Sequence, residues 1–209
     1  MNTNESGRSM IEMLGVLAII GVLSVGGLAG YSKAMSKHKI NKTIDQITQI
    51  VASTRALFAG HSDYASLTKD DKTNYKLIQK GHLVPEDMLT VDSSGVVNGL
   101  ENIYAQSVEM SNSGKRASDD NKAFVITYKG IPQDSCIELA TQDWGAGMSA
   151  GLVGVCINNT AGMSGVIIGN NASTACNDKS CCVIGRNLSI MEASNACSLP
   201  ENTVSWKFF

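Results

Sequence analysis

The stretch Gly7-Arg8-Ser9-Met10-Ile11-Glu12, followed by an uncharged run from Met13 to Ser32, decides the fold of this chain. A carboxylate at the edge of a membrane-length apolar helix is energetically unfavourable unless it has a partner. Here Glu12 follows Gly7, a lone glycine in a short polar leader. This combination is typical of a processing and assembly signal, and it predicts a filament subunit rather than an enzyme.

The uncharged run predicts a membrane-spanning helix. At ~1.5 Å rise per residue, a helix from Met13 to Ser32 spans about the ~30 Å hydrocarbon core of a bilayer. Residues 1–7 carry no basic n-region, and no A-x-A site follows the run, so an ordinary cleaved secretory signal is disfavoured. Gly26, Gly27 and Gly30 predict close helix packing or local unwinding, with ordinary glycine use in membrane helices as the alternative.

A second pattern continues the helix beyond the membrane segment. Apolar residues recur on one face of an otherwise polar helix, at Ile40, Ile44, Ile47, Val51 and Phe58. The pair Ala59-Gly60 predicts the end of a helix that begins near Ser9. We therefore divide the chain into a leader (1–7), a membrane-spanning half-helix (8–32), an amphipathic half-helix (33–60) and a head (61–209), with a connecting region (61–122) and a sheet and cysteine-rich region (123–209).

The composition limits the classes of function. The chain has 209 residues, a net charge of −2 and six cysteines. This length suits one modest globular domain plus an appendage. The charge gives no basic surface for nucleic acid, so charge alone identifies no partner. The cysteines all lie in the C-terminal region, at Cys136, Cys156, Cys176, Cys181, Cys182 and Cys197. An even cluster of this kind predicts disulfides formed in an oxidising compartment.

A zinc site is the competing interpretation of the cysteines. It is disfavoured because the paired CxxC spacing is missing and because His38, His61 and His82 lie in another part of the sequence. These histidines have no carboxylate at an informative spacing, and we expect them to be surface residues. We predict no metal and no cofactor.

The head is predicted to be an antiparallel sheet that covers the apolar stripe of the helix, which makes an α+β fold. The strand candidates are Ile103–Val108, Ala123–Lys129, Leu152–Ile157, Gly165–Ile168 and Val204–Phe208, the last one half-buried. Short helical segments are predicted at Asp63-Tyr64, at Asn74–Gln79, at Pro85–Met88, around Cys136–Leu139 and after Ser189, where Ser189 and Glu192 have capping-box spacing.

Catalytic motifs are not found in the sequence. The glycines from Gly145 to Gly154 do not have GxGxxG spacing, and Gly162-Met-Ser164-Gly165 lacks the second spacer of a nucleophile elbow. The triplet Asn158-Asn-Thr160 matches the spacing of a glycosylation acceptor, but we assign no function to it. The sequence therefore predicts a protein that is not an enzyme.

Together, these features resemble a type IV pilin precursor. The resemblance rests on a short leader ending in Gly7, a glutamate at the fifth mature position (Glu12), an apolar helix that becomes amphipathic, and a C-terminal domain with cysteines. Residues 121–130, Ser135-Cys136 and the ending from Cys197 to Phe209 are similar to the type IVb class, which includes toxin-coregulated and conjugative thin-pilus pilins. The expected fold is the pilin fold, a long N-terminal helix packed on an antiparallel sheet with a disulfide-linked C-terminal region.

The resemblance implies roles for single residues. A prepilin peptidase would cut between Gly7 and Arg8 and methylate the new amine, and Glu12 would pair with the N-terminal amine of a neighbouring subunit. Arg8 departs from the family pattern, which prefers an apolar first residue. No proline interrupts the helix near Ala29, as one does in many pilins, so the glycines would have to supply any kink.

The resemblance also implies how the cysteines pair. Cys136 and Cys197 match the positions of the pair that closes the C-terminal region of type IVb pilins. A bond between the adjacent Cys181 and Cys182 is disfavoured by geometry. Two pairings then stay open, because Cys156 bonds either Cys181 or Cys182 and Cys176 takes the other one.

The partners and location follow from the same resemblance. The chain is expected in the inner membrane with a periplasmic head, and then in an extracellular pilus, a helical homo-oligomer. The implied partners are prepilin peptidase, an assembly platform protein, an ATPase and an outer-membrane secretin, and the implied roles are surface attachment, aggregation or conjugation. Lys33, Lys37, Lys39 and Lys42 would favour a cytoplasmic head by charge count, whereas the cysteines favour the periplasm.

Two other functions are weighed. A pseudopilin of a type II secretion system belongs to the same superfamily, and long shed filaments would distinguish a major pilin from it. A signal-anchored periplasmic binding module or enzyme is the hypothesis from another class. Such an anchor would give Glu12 no role, so a Glu12→Ala variant separates the two.

Overall fold

The structure, a computed structural model, describes residues 6–68, 71–113, 121–144, 151–158 and 175–209. By its internal contacts the chain forms two compact units, Met1–Lys39 and Ile40–Phe209. Helix α1 runs from Ser6 to Phe58 and supplies residues to both units.

In the first unit, α1 carries the predicted membrane segment. The helix contains a stretch that is long and apolar enough to cross a membrane by length and composition. Its large apolar side chains are exposed, including Ile11 at 73% and Val22 at 75%. The helix is continuous through Gly26 and Gly30. Unwinding at these glycines therefore stays a prediction for the assembled polymer.

In the second unit, the C-terminal half of α1 packs its apolar stripe on the head. Ile40, Ile47 and Phe58 are buried, and Ile44 and Val51 are partly buried against the same core. This confirms the predicted stripe. The sequence pattern missed Ile50, which is fully buried. The helix ends at Phe58, as Ala59-Gly60 predicts.

The remaining elements of the second unit follow in chain order. They are α2 (Asp71–Lys80), a 3-10 turn (Glu86–Met88), β1 (Leu89–Val91), β2 (Val97–Leu100), β3 (Val108–Ser113), β4 (Ala123–Pro132), α3 (Gln133–Thr141), β5 (Leu152–Ile157), β6 (Ala175–Cys176), β7 (Cys181–Ile184), α4 (Ile190–Ala196) and β8 (Glu201–Phe208). Strands β1 and β2 form a small hairpin sheet. The main sheet of the described residues has the order β3-β4-β8-β5-β7-β6.

The main sheet is antiparallel at each of its described pairings. The C-terminal strand β8 lies in its centre, so the last residues of the sequence complete the core. Trp206 and Tyr128 are fully buried and meet edge to face with ring centroids 5.8 Å apart. The predicted α+β architecture is confirmed.

Three strand predictions are confirmed, at Ala123–Lys129, Leu152–Ile157 and Val204–Phe208. Gly165–Ile168 lies outside the described residues. The strand predicted at Ile103–Val108 is wrong. Asn102 Oδ1 instead accepts hydrogen bonds from the backbone N–H of Tyr104 and Gln106, which makes a turn there, and the strand begins at Val108.

The half-buried character predicted for the last strand is also wrong. Ser205 and Lys207 are 2% and 1% exposed, so both faces of β8 are covered. Lys207 lies opposite Val125 of β4 and beside Gly154 of β5. Burial lowers the pKa of the Lys207 amine to about 8. The alternation of apolar and polar residues therefore shows which face of the sheet each side chain of β8 lies on, but it does not show that the polar face is exposed.

The predicted short helices are confirmed at α2, at the 3-10 turn after Pro85, at α3 and at α4. The turn predicted at Asp63-Tyr64 is wrong, because these two residues are not helical. Asp63 Oδ1 accepts a hydrogen bond from the Ala65 N–H, and the Tyr64 N–H donates to the Asn121 carbonyl at 2.7 Å. The second contact joins the start of the connecting region to its end, two residues before β4 begins at Ala123.

The outer edge of β3 is covered by the connecting region. The Asn112 N–H donates to the Leu67 carbonyl at 2.7 Å, and the Asn112 side chain donates to the Ala65 carbonyl at 3.1 Å. Asn74 of α2 donates from Nδ2 to the Met110 carbonyl at 2.7 Å. Backbone groups that would otherwise be open for strand addition are therefore already bonded.

Candidate functional site

The predicted assembly residues lie at the start of α1. Gly7 and Arg8 are in its first turn, and Glu12 follows one turn later. The Glu12 side chain is exposed, and no described residue hydrogen-bonds or ion-pairs with it. The first unit therefore presents a carboxylate at the edge of an exposed apolar surface. A carboxylate in this position suits a cationic partner.

The glycines of the same helix leave room on its surface. A Cβ atom built on Gly26, Gly27 or Gly30 meets nothing within 4 Å. Small residues of this kind allow a second helix to approach the backbone closely in an apolar environment. The three glycines lie within α1. Their role in helix packing or flexibility stays a prediction.

A disulfide between Cys136 and Cys197 closes the C-terminal region. It joins α3 to the C-cap of α4 over a Cα–Cα distance of 5.9 Å, and both residues are fully buried. This is the pair implied by the resemblance. The bond encloses a sequence separation of 61 residues. A loop of that length restricts the unfolded chain by about 4 kcal/mol in the chain-entropy model.

The other four cysteines pair across neighbouring strands. Cys156 of β5 bonds Cys182 of β7, and Cys176 of β6 bonds Cys181 of β7. In each bond the two residues are direct register partners in the sheet. The alternatives that the sequence left open are therefore decided by register, which the sequence did not predict because β6 and β7 were missed.

An asparagine pair anchors the loop after Cys197. Asn158 Nδ2 donates to the Ala196 carbonyl at 2.9 Å and to Asn202 Oδ1 at 2.8 Å, while Asn158 Oδ1 accepts from the Thr203 N–H at 2.8 Å. Both ends of the Asn158 amide are thus used. Asn158, the first residue of the glycosylation-like triplet, therefore has a structural role, and the other two residues lie outside the described part of the chain.

The start of α4 is stabilised by charge as well as by its cap. Ser189 and Glu192 form the predicted capping box. Glu192 also receives two hydrogen bonds from Arg186, at 2.7 and 2.6 Å. The Arg186 hydrogen bond, followed by the Ser189 backbone N–H, lowers the pKa of Glu192 to about 2. Helix α4, which leads to Cys197, is therefore fixed at its start by Ser189 and Arg186 and at its end by the disulfide to Cys136.

Arg55 joins the end of α1 to the C-terminal strand. Its Nε donates to the Phe209 carbonyl at 3.0 Å, and its guanidinium lies 5.9 Å from the Phe208 ring centre. The guanidinium also fills the space beside Gly151, where an added Cβ would lie 1.7 Å from Nη2. Lys42 pairs with Asp87 at 2.7 Å, which fixes the connecting region on α1.

The histidines behave as predicted, because His38, His61 and His82 are exposed. Among the described residues, no group of three or more His, Cys, Asp or Glu side chains is placed to hold a metal ion. The cysteines are used in disulfides.

Comparison with known proteins defines the class of this chain. A family model described as PilS N terminal matches residues 37–187. The sequence is 25% identical over 143 residues to the toxin coregulated pilin of Vibrio cholerae, covering 66% of this chain and 58% of that pilin. It is 22% identical over 205 residues to the major structural subunit of the bundle-forming pilus of Escherichia coli O111:H-, covering 98% of this chain and 94% of that subunit.

The fold agrees with these matches. The crystal structure of a type IVb pilin from Salmonella typhi superposes with a TM-score of 0.50 at 18% identity, covering 81% of this chain and 97% of that one. The chain therefore belongs to the PilS family and is a type IVb pilin. Its homologues in this class are structural proteins.

Proposed function

We propose that this chain is the polymerising subunit of a type IVb pilus, made as a membrane-anchored precursor and assembled through α1. The observation that carries the proposal is the exposed Glu12 carboxylate at the edge of an exposed apolar helix. In an isolated chain this surface has no described partner. In a helical bundle of copies, these apolar side chains would be buried, and each Å² of apolar surface removed from water would contribute about 25 cal/mol of favourable free energy.

Processing would complete the partner of Glu12. Prepilin peptidase cuts after Gly7, so that Arg8 becomes the first residue and its amine is methylated. That amine then pairs with the Glu12 carboxylate of a neighbouring subunit, which neutralises a charge in an apolar environment. Mass spectrometry of assembled filaments should identify a methylated N-terminal peptide that begins at Arg8. A filament subunit that still begins with residues 1–7 would contradict this step.

The head is proposed to face the periplasm before assembly and the medium afterwards. The disulfides support this orientation, because they form and persist in oxidising compartments. The implied machinery is the peptidase, a platform protein, an ATPase and a secretin. An alkaline phosphatase fused after Phe209 should be active in cells. An inactive fusion would place the head in the cytoplasm and contradict the proposal.

The relative named as a major structural subunit supports a major-pilin role, since the alignment covers 98% of this chain. Such a filament could serve surface attachment, aggregation or conjugation. Long shed filaments made mainly of this chain are the expected observation in cells that express the assembly machinery. Their absence would favour a minor pilin or a pseudopilin.

The charge pairing is tested with Glu12→Ala. We expect shed filament to fall by at least about tenfold, because the N-terminal amine of each neighbour loses its buried partner. The precursor should still reach the membrane, since the apolar run is unchanged. Glu5→Ala removes one carboxylate from the leader and is the matched control, with normal filament yield. Normal filament yield from Glu12→Ala would contradict the charge-pairing mechanism.

A further inference from the structure

A cleft of about 330 Å³ opens in the second unit next to the last turn of α1. Its floor is aromatic, formed by Phe58, Tyr64 and Phe209. The Phe58 and Tyr64 rings lie 5.0 Å apart, and Tyr64 lies 5.0 Å from Phe124 in the core. Phe58 and Tyr64 of this floor are therefore the outer end of a packed aromatic row. Phe58, the last residue of α1, is the one residue of that helix in the cleft lining, and none of the disulfide cysteines lines it.

The rim of the cleft carries a fixed donor and a fixed acceptor. Lys122 Nζ donates to the Ser62 carbonyl at 2.8 Å, which holds the ammonium at the opening and leaves further N–H groups. The Asp63 carboxylate accepts from the Ala65 N–H at 3.0 Å and from the Ser62 hydroxyl at 3.3 Å. The Ala65 N–H lowers the pKa of Asp63, so this rim group is anionic at neutral pH.

A third polar group completes the rim. His61 is exposed, and its ring centre lies 5.7 Å from that of Phe58. A neutral imidazole donates from one nitrogen and accepts at the other. The opening therefore offers donors and acceptors side by side above an aromatic floor. Ligand sites commonly combine an apolar or aromatic lining with a few placed polar groups.

We propose that this cleft binds one pyranose ring of a neutral glycan. A pyranose has an apolar C–H face that packs on an aromatic ring, and its hydroxyls both donate and accept hydrogen bonds. A small anion would meet the Asp63 carboxylate, and a small cation would meet the Lys122 ammonium, so a neutral polyol matches this rim better than either. The volume lies at the lower end of the ~300–1,000 Å³ of ligand pockets, which suits a single ring.

The site gives the head a recognition role that polymerisation does not require. The assembly proposal rests on Glu12 and the first unit, whereas the cleft residues lie between Phe58 and Phe209 in the second unit. Failure of one proposal therefore leaves the other standing. A filament made of this subunit would repeat the cleft, and many weak single sites would then act together.

The test uses the full-length chain in micelles of a detergent without a sugar headgroup. Saturation-transfer difference NMR is recorded with the methyl glycosides of glucose, galactose and N-acetylglucosamine, and with N-acetylneuraminic acid as the anionic arm. We expect transfer to the ring protons of at least one neutral sugar. Lys122→Ala should weaken its binding by at least about tenfold, since a charge-assisted hydrogen bond is lost. His61→Ala should weaken it in the same direction.

Lys76→Ala, which removes an exposed lysine from α2, is the matched control and should bind like the unchanged protein. Circular dichroism of each variant shows whether the fold is retained, and the exposed His61 gives a second variant if Lys122→Ala unfolds. The proposal is overturned if no neutral sugar shows transfer to the unchanged chain. It is also overturned if Lys122→Ala and His61→Ala bind as Lys76→Ala does, or if only N-acetylneuraminic acid binds.

Discussion

Glu192 is a charged residue that stabilises the start of α4 in the C-terminal region. It caps α4 through Ser189 and accepts two hydrogen bonds from Arg186. Its pKa falls from 4.5 to about 2 on folding. A carboxylate with a lowered folded pKa stabilises the fold above its unfolded pKa, and this contribution is lost as the pH falls from about 4.5 towards 2.

We therefore expect Glu192→Gln to lower the free energy of unfolding by about 1 kcal/mol at pH 7, because the pair is half exposed and screened by solvent. Glutamine keeps the capping geometry, so the loss reports the charge. The two proteins should converge as the pH approaches 2. Denaturant unfolding across this range measures the difference, with Glu201→Gln as an exposed control. An equal difference at pH 7 and pH 2 would contradict the assignment to charge.

Gly151 makes a second prediction at the residue scale. Its φ of +90° is unfavourable for other residues, and a Cβ there would meet the Arg55 guanidinium. Gly185 has a φ of +72° but open space around it, so Gly185→Ala is a control for backbone strain alone. We expect Gly151→Ala to destabilise the protein by about 1 kcal/mol more than Gly185→Ala, because Arg55 must release the Phe209 carbonyl.

The same Arg55 contact can be tested by a double-mutant cycle in denaturant unfolding. In the Arg55→Ala background, Gly151→Ala should cost no more than Gly185→Ala, since the obstructing side chain has gone. Additive effects of Arg55→Ala and Gly151→Ala would show that the guanidinium does not restrict this position.

At the scale of elements, the helices whose ends or faces are determined by neighbouring residues in the sequence were predicted correctly. The apolar spacing from Ile40 to Phe58 predicted the packed half of α1, and the Ser189 capping box predicted the start of α4. The strand at Ile103–Val108 was wrong because one side chain, Asn102, bonds the backbone into a turn. Apolar and β-branched residues alone do not reveal such a competitor.

The short strands were missed for a different reason. Strand β6 has two residues, and β7 has the sequence Cys-Cys-Val-Ile, so neither shows an alternating pattern. Their pairing depends on contacts between distant parts of the chain, and this register also decides the bonds of Cys156 and Cys176. The site residues Gly7 and Glu12 came from a motif, whereas the cleft around Lys122 joins segments about 60 residues apart and has no local signal.

For the whole molecule, the disulfides differ in the length of chain that they restrain. The Cys136–Cys197 bond spans 61 residues, whereas the Cys176–Cys181 bond spans 5. In the chain-entropy model the longer loop contributes about 4 kcal/mol and the shorter one about 2 kcal/mol. The first bond therefore joins separate elements into one head, and the second fixes a local hairpin.

We expect the double variant Cys136→Ala/Cys197→Ala to lose about 2 kcal/mol more stability than Cys176→Ala/Cys181→Ala. Denaturant unfolding of the two full-length variants under oxidising conditions measures this difference. Protease resistance should fall in the same order, since α3 and α4 are freed only in the first variant. Equal losses would show that packing around Cys136 and Cys197, rather than loop closure, determines the effect.

The covered edge of β3 bears on how copies of this chain meet. Two backbone groups of this strand, the Asn112 N–H and the Met110 carbonyl, are already bonded to the connecting region and α2, and the opposite edge, β6, has only two residues in its described part. Among the described strands, neither end of the sheet offers a long open edge to another head. In the part of the sheet that the structure describes, the edges therefore do not template the edge-to-edge strand pairing that leads to cross-β aggregates when many heads are crowded together.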